Sequence, residues 1–452
     1  MKRFFITIGI SSLLLLTSCG DWLEILPKNK QVTANFWKSK EEVEAVLASG
    51  YRILRNATPD LIDWGELRAG SIYPFSNAQK QRLYNFQLTS NDALCRWTTL
   101  YQVLNMANSV IHYGPSVQHE DETYLDAYLN SHLTEAYFLR SLVNFYLVRN
   151  FLEVPLVTEP YIDDSAPFAI AKSSEEQLIA QIKTDIQTAL STGAAKEFFE
   201  DEQWEGASKG RATKWALYAL MADVCLWSED YDACIEYCDL LIHATASRRP
   251  VFISDPDQWF DIFNPGNSNE SIFEINWQST SLGQTTNSPS TIFSISLAAQ
   301  YQYGAAMCER LYAESQEETL PGYPASVRAE YGAYYDAGQG AEPKQYVVWK
   351  YYGDGVDNNM SRPYTDANWI IYRMAEILLI KAEALIWKGQ ANYAEAMELI
   401  NQVRNRARLQ NLSFNPATAE ELTMLEAVLH ERDIELAAEG KRWYDLVRFG
   451  RS

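Results

Sequence analysis

Two helical segments of this chain repeat each other position by position, and that repeat limits the possible folds more than any other feature. Aligning Tyr231 with Tyr393 brings Leu217 onto Leu379, Ala222 onto Ala384, Ile235 onto Met397 and Leu241 onto Val403. Small Cys234 falls on small Ala396. Small residues at fixed places let paired helices approach closely, and the large ones fill the space between them. This is the logic of stacked helix pairs of tetratricopeptide type. The expectation is a mainly α fold: a tetratricopeptide-like helical-pair scaffold with an irregular, loop-rich layer and short strands.

Apolar periodicity extends the scaffold in both directions. Helices are expected over 39–55 and 97–113, the second stopped by Gly114-Pro115. Leu139, Leu142, Val143, Tyr146 and Leu147 form a buried stripe at i, i+3, i+4, i+7 and i+8. Further helices fall at 174–191, 212–228 and 231–245, and helix is expected again over 369–408 and 419–440. Residues 250–368 are of another kind, rich in Pro, Gly, Asn, Ser and Tyr, with a strand-like alternation over 271–277. A long irregular insertion in a rigid scaffold is where recognition usually resides.

The N-terminus reads as a processing signal rather than as fold. Met1-Lys2-Arg3 precedes an apolar run from Phe4 to Leu16, too short to span a bilayer, and Leu16-Thr17-Ser18 leads directly to Cys19. Residues 1–18 are therefore expected to be a lipoprotein signal peptide, with Cys19 the lipid-attachment site and 19–452 one domain tethered to a membrane. Stable tethering takes more than one acyl chain.

Chemistry is notable for what the sequence lacks. A net charge of -21 argues against nucleic acid as a partner. Apart from Cys19 the cysteines are odd in number and contain no C-x-x-C pair, so neither a disulfide framework nor a zinc site is expected; Cys234 and Cys238 read as small buried hydrophobes. No H-E-x-x-H, G-x-S-x-G, P-loop or dinucleotide fingerprint occurs. Asp354, Asp357, Asn358 and Asn359 carry oxygens, but their spacing fits a polar turn better than an EF-hand loop. No catalytic residue, metal or cofactor is expected.

Several stretches, among them Ala136-Tyr137-Phe138-Leu139-Arg140, Tyr372-Arg373-Met374-Ala375-Glu376 and Glu439-Gly440-Lys441-Arg442-Trp443, together resemble the SusD/RagB family of nutrient-binding outer-membrane lipoproteins. Asp21-Trp22-Leu23, Phe36-Trp37 and Gly50-Tyr51 are similar to the family's opening, and Ala136 to Arg140 through Phe145 to Phe151, with Val154-Pro155-Leu156, to its most recognisable helix. Tyr372 to Leu379 with Ala382-Glu383-Ala384, then Glu431 to Leu436 with Glu439 to Leu446 and Arg448, complete the pattern in order. In the last stretch Arg432 with Glu435, Glu439 with Arg442 and Asp445 with Arg448 stand at i, i+3 and read as packing pairs. The family commonly continues into a tail rich in Pro and Asn, whereas this sequence stops at Gly450-Arg451-Ser452.

The resemblance implies a protein that binds an oligosaccharide and passes it to a TonB-dependent outer-membrane transporter of SusC type, held at the outer membrane through its lipid and facing the exterior. An exported hydrolase or a protein-binding scaffold are the alternatives. Family members that bind glycans use loop aromatics with polar neighbours. The candidates here are Arg82, Tyr84, Asn91, Asp92 and Trp97 from an irregular stretch over 64–97, and Trp277, Gln278, Tyr301 and Tyr303 from the insertion around 277–303.

Overall fold

The computed structural model describes residues 36–451 apart from 76, 163–166, 168, 202–205, 295–299, 336–345 and 357–359. Cys19 and the signal segment lie outside the described residues, as do Asp357, Asn358 and Asn359. Ten helices build the scaffold: α1 Lys40–Asn56, α2 Thr98–Glu120, α3 Asp126–Phe151, α4 Glu175–Ser191, α5 Lys214–Trp227, α6 Tyr231–Ile242, α7 Met374–Trp387, α8 Tyr393–Arg406, α9 Glu421–Glu435 and α10 Arg442–Arg451. From α1 to α9 each helix packs against the next, so the elements stack in sequence order as a solenoid does. Helix starts follow local chemistry. Ser174 and Gln177 cap each other at α4, with Gln177 N–H donating to Ser174 Oγ at 3.3 Å and Ser174 N–H to Gln177 Oε1 at 3.0 Å.

The repeat expected from sequence is present. Leu217, Leu379, Ala222, Ala384, Cys234 and Ala396 are all fully buried, and α6 of the first pair packs on α7 of the second. Cys238 is buried with Cys234, as expected of small hydrophobes.

Two boundaries differ from expectation. Gly114-Pro115 does not end α2, which runs on to Glu120. Proline removes one backbone hydrogen bond and strains the preceding turn. Here packing outweighs that cost: Val117 is buried beyond it, and Gly114 lies so close to α3 that a Cβ would meet Leu129 Cδ1 at 3.2 Å. The segment 369–408 is not helical from its start either. Its first five residues form a strand that pairs antiparallel with Ser271–Ile275.

Four two-stranded antiparallel pairs occur among the described residues. Two position the regions of interest, and their strands are β1 Ile72–Pro74, β2 Ser271–Ile275, β3 Tyr301–Tyr303 and β4 Trp369–Arg373, with β1 paired to β3 and β2 to β4. All five residues of β2 and of β4 are buried. The alternation over 271–277 therefore marks a strand covered on both faces, not one half exposed. The insertion carries a core of its own, in which the rings of Phe293, Tyr351 and Trp369 stack on one another at 5.6 to 6.5 Å.

A buried ionic network joins this layer to the C-terminal helices. Arg373 at the end of β4 donates to Glu270 at 3.0 Å, to Glu435 at 2.5 Å, to Glu439 at 2.8 Å and to the Glu435 carbonyl at 2.7 Å. Arg406 from α8 reaches Glu270 and Glu435, and Arg328 from the insertion reaches Glu314, Glu431 and Glu435. Only one of the three i, i+3 pairs expected from sequence forms, Asp445 with Arg448 at 2.8 Å. Arg432 instead pairs with Asp445, and Arg442 with Asp433. The chain breaks between α9 and α10 at Ala438 and Gly440, both at positive φ, and folds back, so residues on either side of the break do not share one helix face. Gly65 accepts no side chain, because a Cβ there would collide with the Gly440 carbonyl, and Gly440 itself sits at a φ of +79° with Trp369 3.1 Å from where its own Cβ would be.

Candidate functional site

Residues 72–92 build an open aromatic shelf. In β1 the side chains of Ile72 and Pro74 point inward and Tyr73 points outward, as the two-residue period of a strand requires. Tyr73 is 39% exposed and Phe75, immediately after the strand, 42% exposed. A short helix, Ala78–Tyr84, brings the half-buried Tyr84 beside them. Asn77 caps that helix, accepting from the N–H groups of Gln79 and Lys80. The Tyr73 ring meets Tyr84 edge-on at 5.4 Å and Phe75 edge-on at 6.5 Å. These contacts hold the three rings in place while leaving aromatic surface in solvent.

The polar members of the stretch are unequal. Asp92 is 3% exposed, and its carboxylate is occupied by the Arg82 guanidinium on one oxygen and by the Thr89 N–H and hydroxyl on the other. The Arg82 hydrogen bond, ahead of the Thr89 ones, holds its pKa down at about 2. Asp92 thus anchors the loop, with both carboxylate oxygens engaged within the protein. Arg82 is half-exposed and uses one N–H on Asp92. A guanidinium has five N–H donors, so it retains capacity for an incoming acceptor. Asn91 is exposed on the turn just before.

Tyr301 and Tyr303 lie underneath, not on, this shelf. They flank Gln302 on β3, where register pairs Tyr303 with Ile72, Gln302 with Tyr73 and Tyr301 with Pro74. Both are buried, and Tyr301 donates its hydroxyl to Asp63. Burial first, then Lys80 and Tyr301 in the opposite direction, leave Asp63 with a pKa raised to about 6. Trp277 is 1% exposed, with its indole N–H donating to the Thr286 carbonyl. All three rings, expected from sequence at a ligand, are packed in the interior with no face open to solvent. Tyr301 and Tyr303 instead support the strand that presents Tyr73.

Trp97 and Gln278 stand at two other places. Trp97, half-buried against Phe151 at 5.2 Å, lines an open groove with Tyr101, Asn56 and Gln102. Gln278 lines a cavity of about 510 Å³ between α1 and the end of β2. Arg52 borders both. Tyr73 and Phe75 are not among the candidates from sequence, although Ile72-Tyr73-Pro74-Phe75 is an unbroken apolar run inside the stretch 64–97. Among the described residues no cluster of His, Cys, Asp and Glu could hold a metal. Asp354 accepts from the Asn264 amide through its carbonyl and carboxylate, which fits the polar turn expected there.

Residues 323–452 match the SusD family, and residues 21–226 match a family described as starch-binding and associating with the outer membrane. SusD-like protein P38 of Formosa agariphila is 28% identical across 99% of this chain and 92% of its own length. This chain belongs to the SusD/RagB family. A SusD-like protein of Bacteroides ovatus is 22% identical over 100% of the chain and 83% of its own length. The fold of the family is also that of solved structures: a SusD superfamily protein from Bacteroides thetaiotaomicron superposes with a TM-score of 0.72 at 20% identity, covering 92% of this chain and 91% of that one. One described as a laminarin binding SusD-like protein superposes at 0.68 and 22% identity, covering 92% of each. The stretches that carried the SusD resemblance in the sequence, Tyr372 to Ala384 and Glu431 to Arg448, hold much of the buried ionic network.

Proposed function

We propose that this SusD-family protein captures an oligosaccharide on the Tyr73–Phe75–Tyr84 shelf and delivers it to a SusC-like TonB-dependent transporter in the outer membrane, without covalent chemistry. The observation that carries the reading is the outward-facing aromatic trio beside a half-exposed guanidinium. Sugar rings have apolar C–H faces that stack on aromatic rings, while hydroxyls accept from guanidinium N–H groups. An open shelf suits a chain of sugars that extends past the site in both directions. The starch-binding description of the matching family and the laminarin-binding relative of the same fold point to the same ligand class.

Titration against a panel of soluble polysaccharides that includes laminarin and starch tests it. One glycan should bind without being cleaved. Tyr73→Ala and Tyr84→Ala should each weaken it about five-fold, corresponding to about 1 kcal/mol per lost stacking contact, with little change in melting temperature. Full affinity in the double variant would remove the shelf from the site, and release of shorter sugars would favour a hydrolase.

The anchor rests on Cys19. Cys19→Ala should move the protein from the detergent-extracted outer-membrane fraction to the soluble one, with the body still folded. Persistence in the membrane fraction after high-salt washing would rule out lipid as the tether. A transporter that co-purifies with the wild type from detergent would support the delivery step.

A further inference from the structure

The cavity beside α1 combines two features that the shelf does not have. The first is an unbalanced pair of cations. Arg211 on its wall is neutralised by Glu135 through two hydrogen bonds of 2.9 and 2.7 Å, and lies 3.3 Å from Glu44. Arg52 and Arg55, one turn apart on α1, have no carboxylate within ion-pair distance among the described residues. Arg55 donates only to neutral oxygens, the Gln284 amide at 2.6 Å and the Asn276 carbonyl at 3.4 Å. Arg52 is exposed at the mouth and has no hydrogen-bond partner among the described residues. Burial, and then the like charge of Arg52, lower the Arg55 pKa, as two cations facing the same space would.

The second feature is a volume of ligand size with polar groups on its wall. Glu274 is fully buried on β2. Its carboxylate is taken up by the Asn267 N–H at 2.9 Å, the Asn368 amide at 2.8 Å and the Ser271 hydroxyl, which leaves the cavity to the cations. The volume, about 510 Å³, is that of a small-molecule site. Gln278 adds an amide, and Leu282, 58% exposed, an apolar lip.

We propose that this cavity is a second ligand site, separate from the shelf, for an anionic polyhydroxylated group of monosaccharide size. Arg52, with Arg55 beside it, receives the carboxylate or sulfate, and the Gln278 amide on the wall donates to a hydroxyl. Because Arg52 also borders the Trp97 groove, a longer chain has a way out along it. The site goes beyond the capture reading and stands whether or not the shelf binds glycan.

Calorimetric titration of the protein with D-glucuronate, glucose 6-sulfate and D-glucose tests it, the two anions distinguishing a carboxylate from a sulfate as the preferred group. At least one anion should bind saturably and at least ten-fold more tightly than glucose. Arg52→Gln should weaken that binding about ten-fold and Arg52→Glu abolish it, both with an unchanged melting temperature. Tyr73→Ala should leave it intact. Equal affinity for glucose, no saturable binding of either anion, or full affinity in Arg52→Gln would overturn the proposal, and loss in Tyr73→Ala would assign the anion to the shelf instead.

Discussion

Replacing Arg373 with Met is expected to lower the stability of this protein by about 3–5 kcal/mol, because it removes one partner from a buried ion cluster and leaves the other charges in place. Arg373 and Glu435 are both fully buried, and Arg373 satisfies Glu270, Glu435, Glu439 and a backbone carbonyl at once. No water can replace those bonds without opening the junction of β4, α8 and α9. Arg373→Lys should recover only a small part, since one ammonium cannot reproduce a fork that reaches four acceptors. Urea denaturation of the two variants against wild type measures the difference. A midpoint for Arg373→Met indistinguishable from wild type would mean that the cluster contributes nothing net to the fold. Glycan affinity at a temperature where the variant remains folded should be unchanged, since the network lies in no wall of the shelf.

Stability is also expected to peak at mildly acidic pH, with a limb on each side. On the acid side, surrounding guanidiniums outweigh burial at Glu435 and Asp445 and hold both at about 2, below ordinary values of 4.5 and 3.8. A depressed carboxylate stabilises the fold fully above its unfolded pKa and loses that contribution as pH falls through the folded one. Each is worth about 2–3 kcal/mol, lost between about pH 4.5 and 2. On the other side, burial raises Glu66 to about 7 despite hydrogen bonds from the Lys441 and Gly440 N–H groups, and raises Asp63 to about 6. Here the native state keeps a proton that the unfolded chain releases, so stability falls as pH rises from about 4 to 7. Glu66→Gln keeps an oxygen for the two N–H groups at Gly440 and Lys441 and removes the ionisation. It should raise stability at pH 7 by up to about 3 kcal/mol while changing nothing at pH 4. Urea midpoints across pH 2.5 to 8 test both limbs, and a flat neutral side in the wild type, or no gain in Glu66→Gln, would remove the buried carboxylate as its cause.

Much of the scaffold was readable in the sequence because helix and helix pairing are periodic. A residue repeating at 3.6 positions meets its neighbours locally, so Leu217 and Leu379, or Cys234 and Ala396, announce buried faces before any tertiary contact is known. The same local logic misjudged Pro115, where a contact with α3 carries the helix past a residue that would end it in isolation. It misjudged Trp369 to Arg373 as well, since pairing with a strand a hundred residues earlier decided their conformation.

The site shows the same division more sharply. Composition and resemblance pointed to two stretches, 64–97 and 277–303, and to aromatic recognition as the means. They could not say which tyrosines face water. Along one strand pair the two-residue period places Tyr73 outside and Tyr301 and Tyr303 inside, and only the register of β1 on β3 decides between them. Charge shows the limit again: Arg432, Glu435, Glu439 and Arg442 are spaced for helical pairs, yet the break at Ala438–Gly440 and the arrival of Arg373, Arg406 and Arg328 reassign most of the partners. The sequence by itself determined the helical pairs and the residue types available for binding, because both follow from local spacing and side-chain chemistry. Tertiary structure alone decided which rings are exposed and which charges meet, because burial and ion pairing join residues that the chain holds far apart.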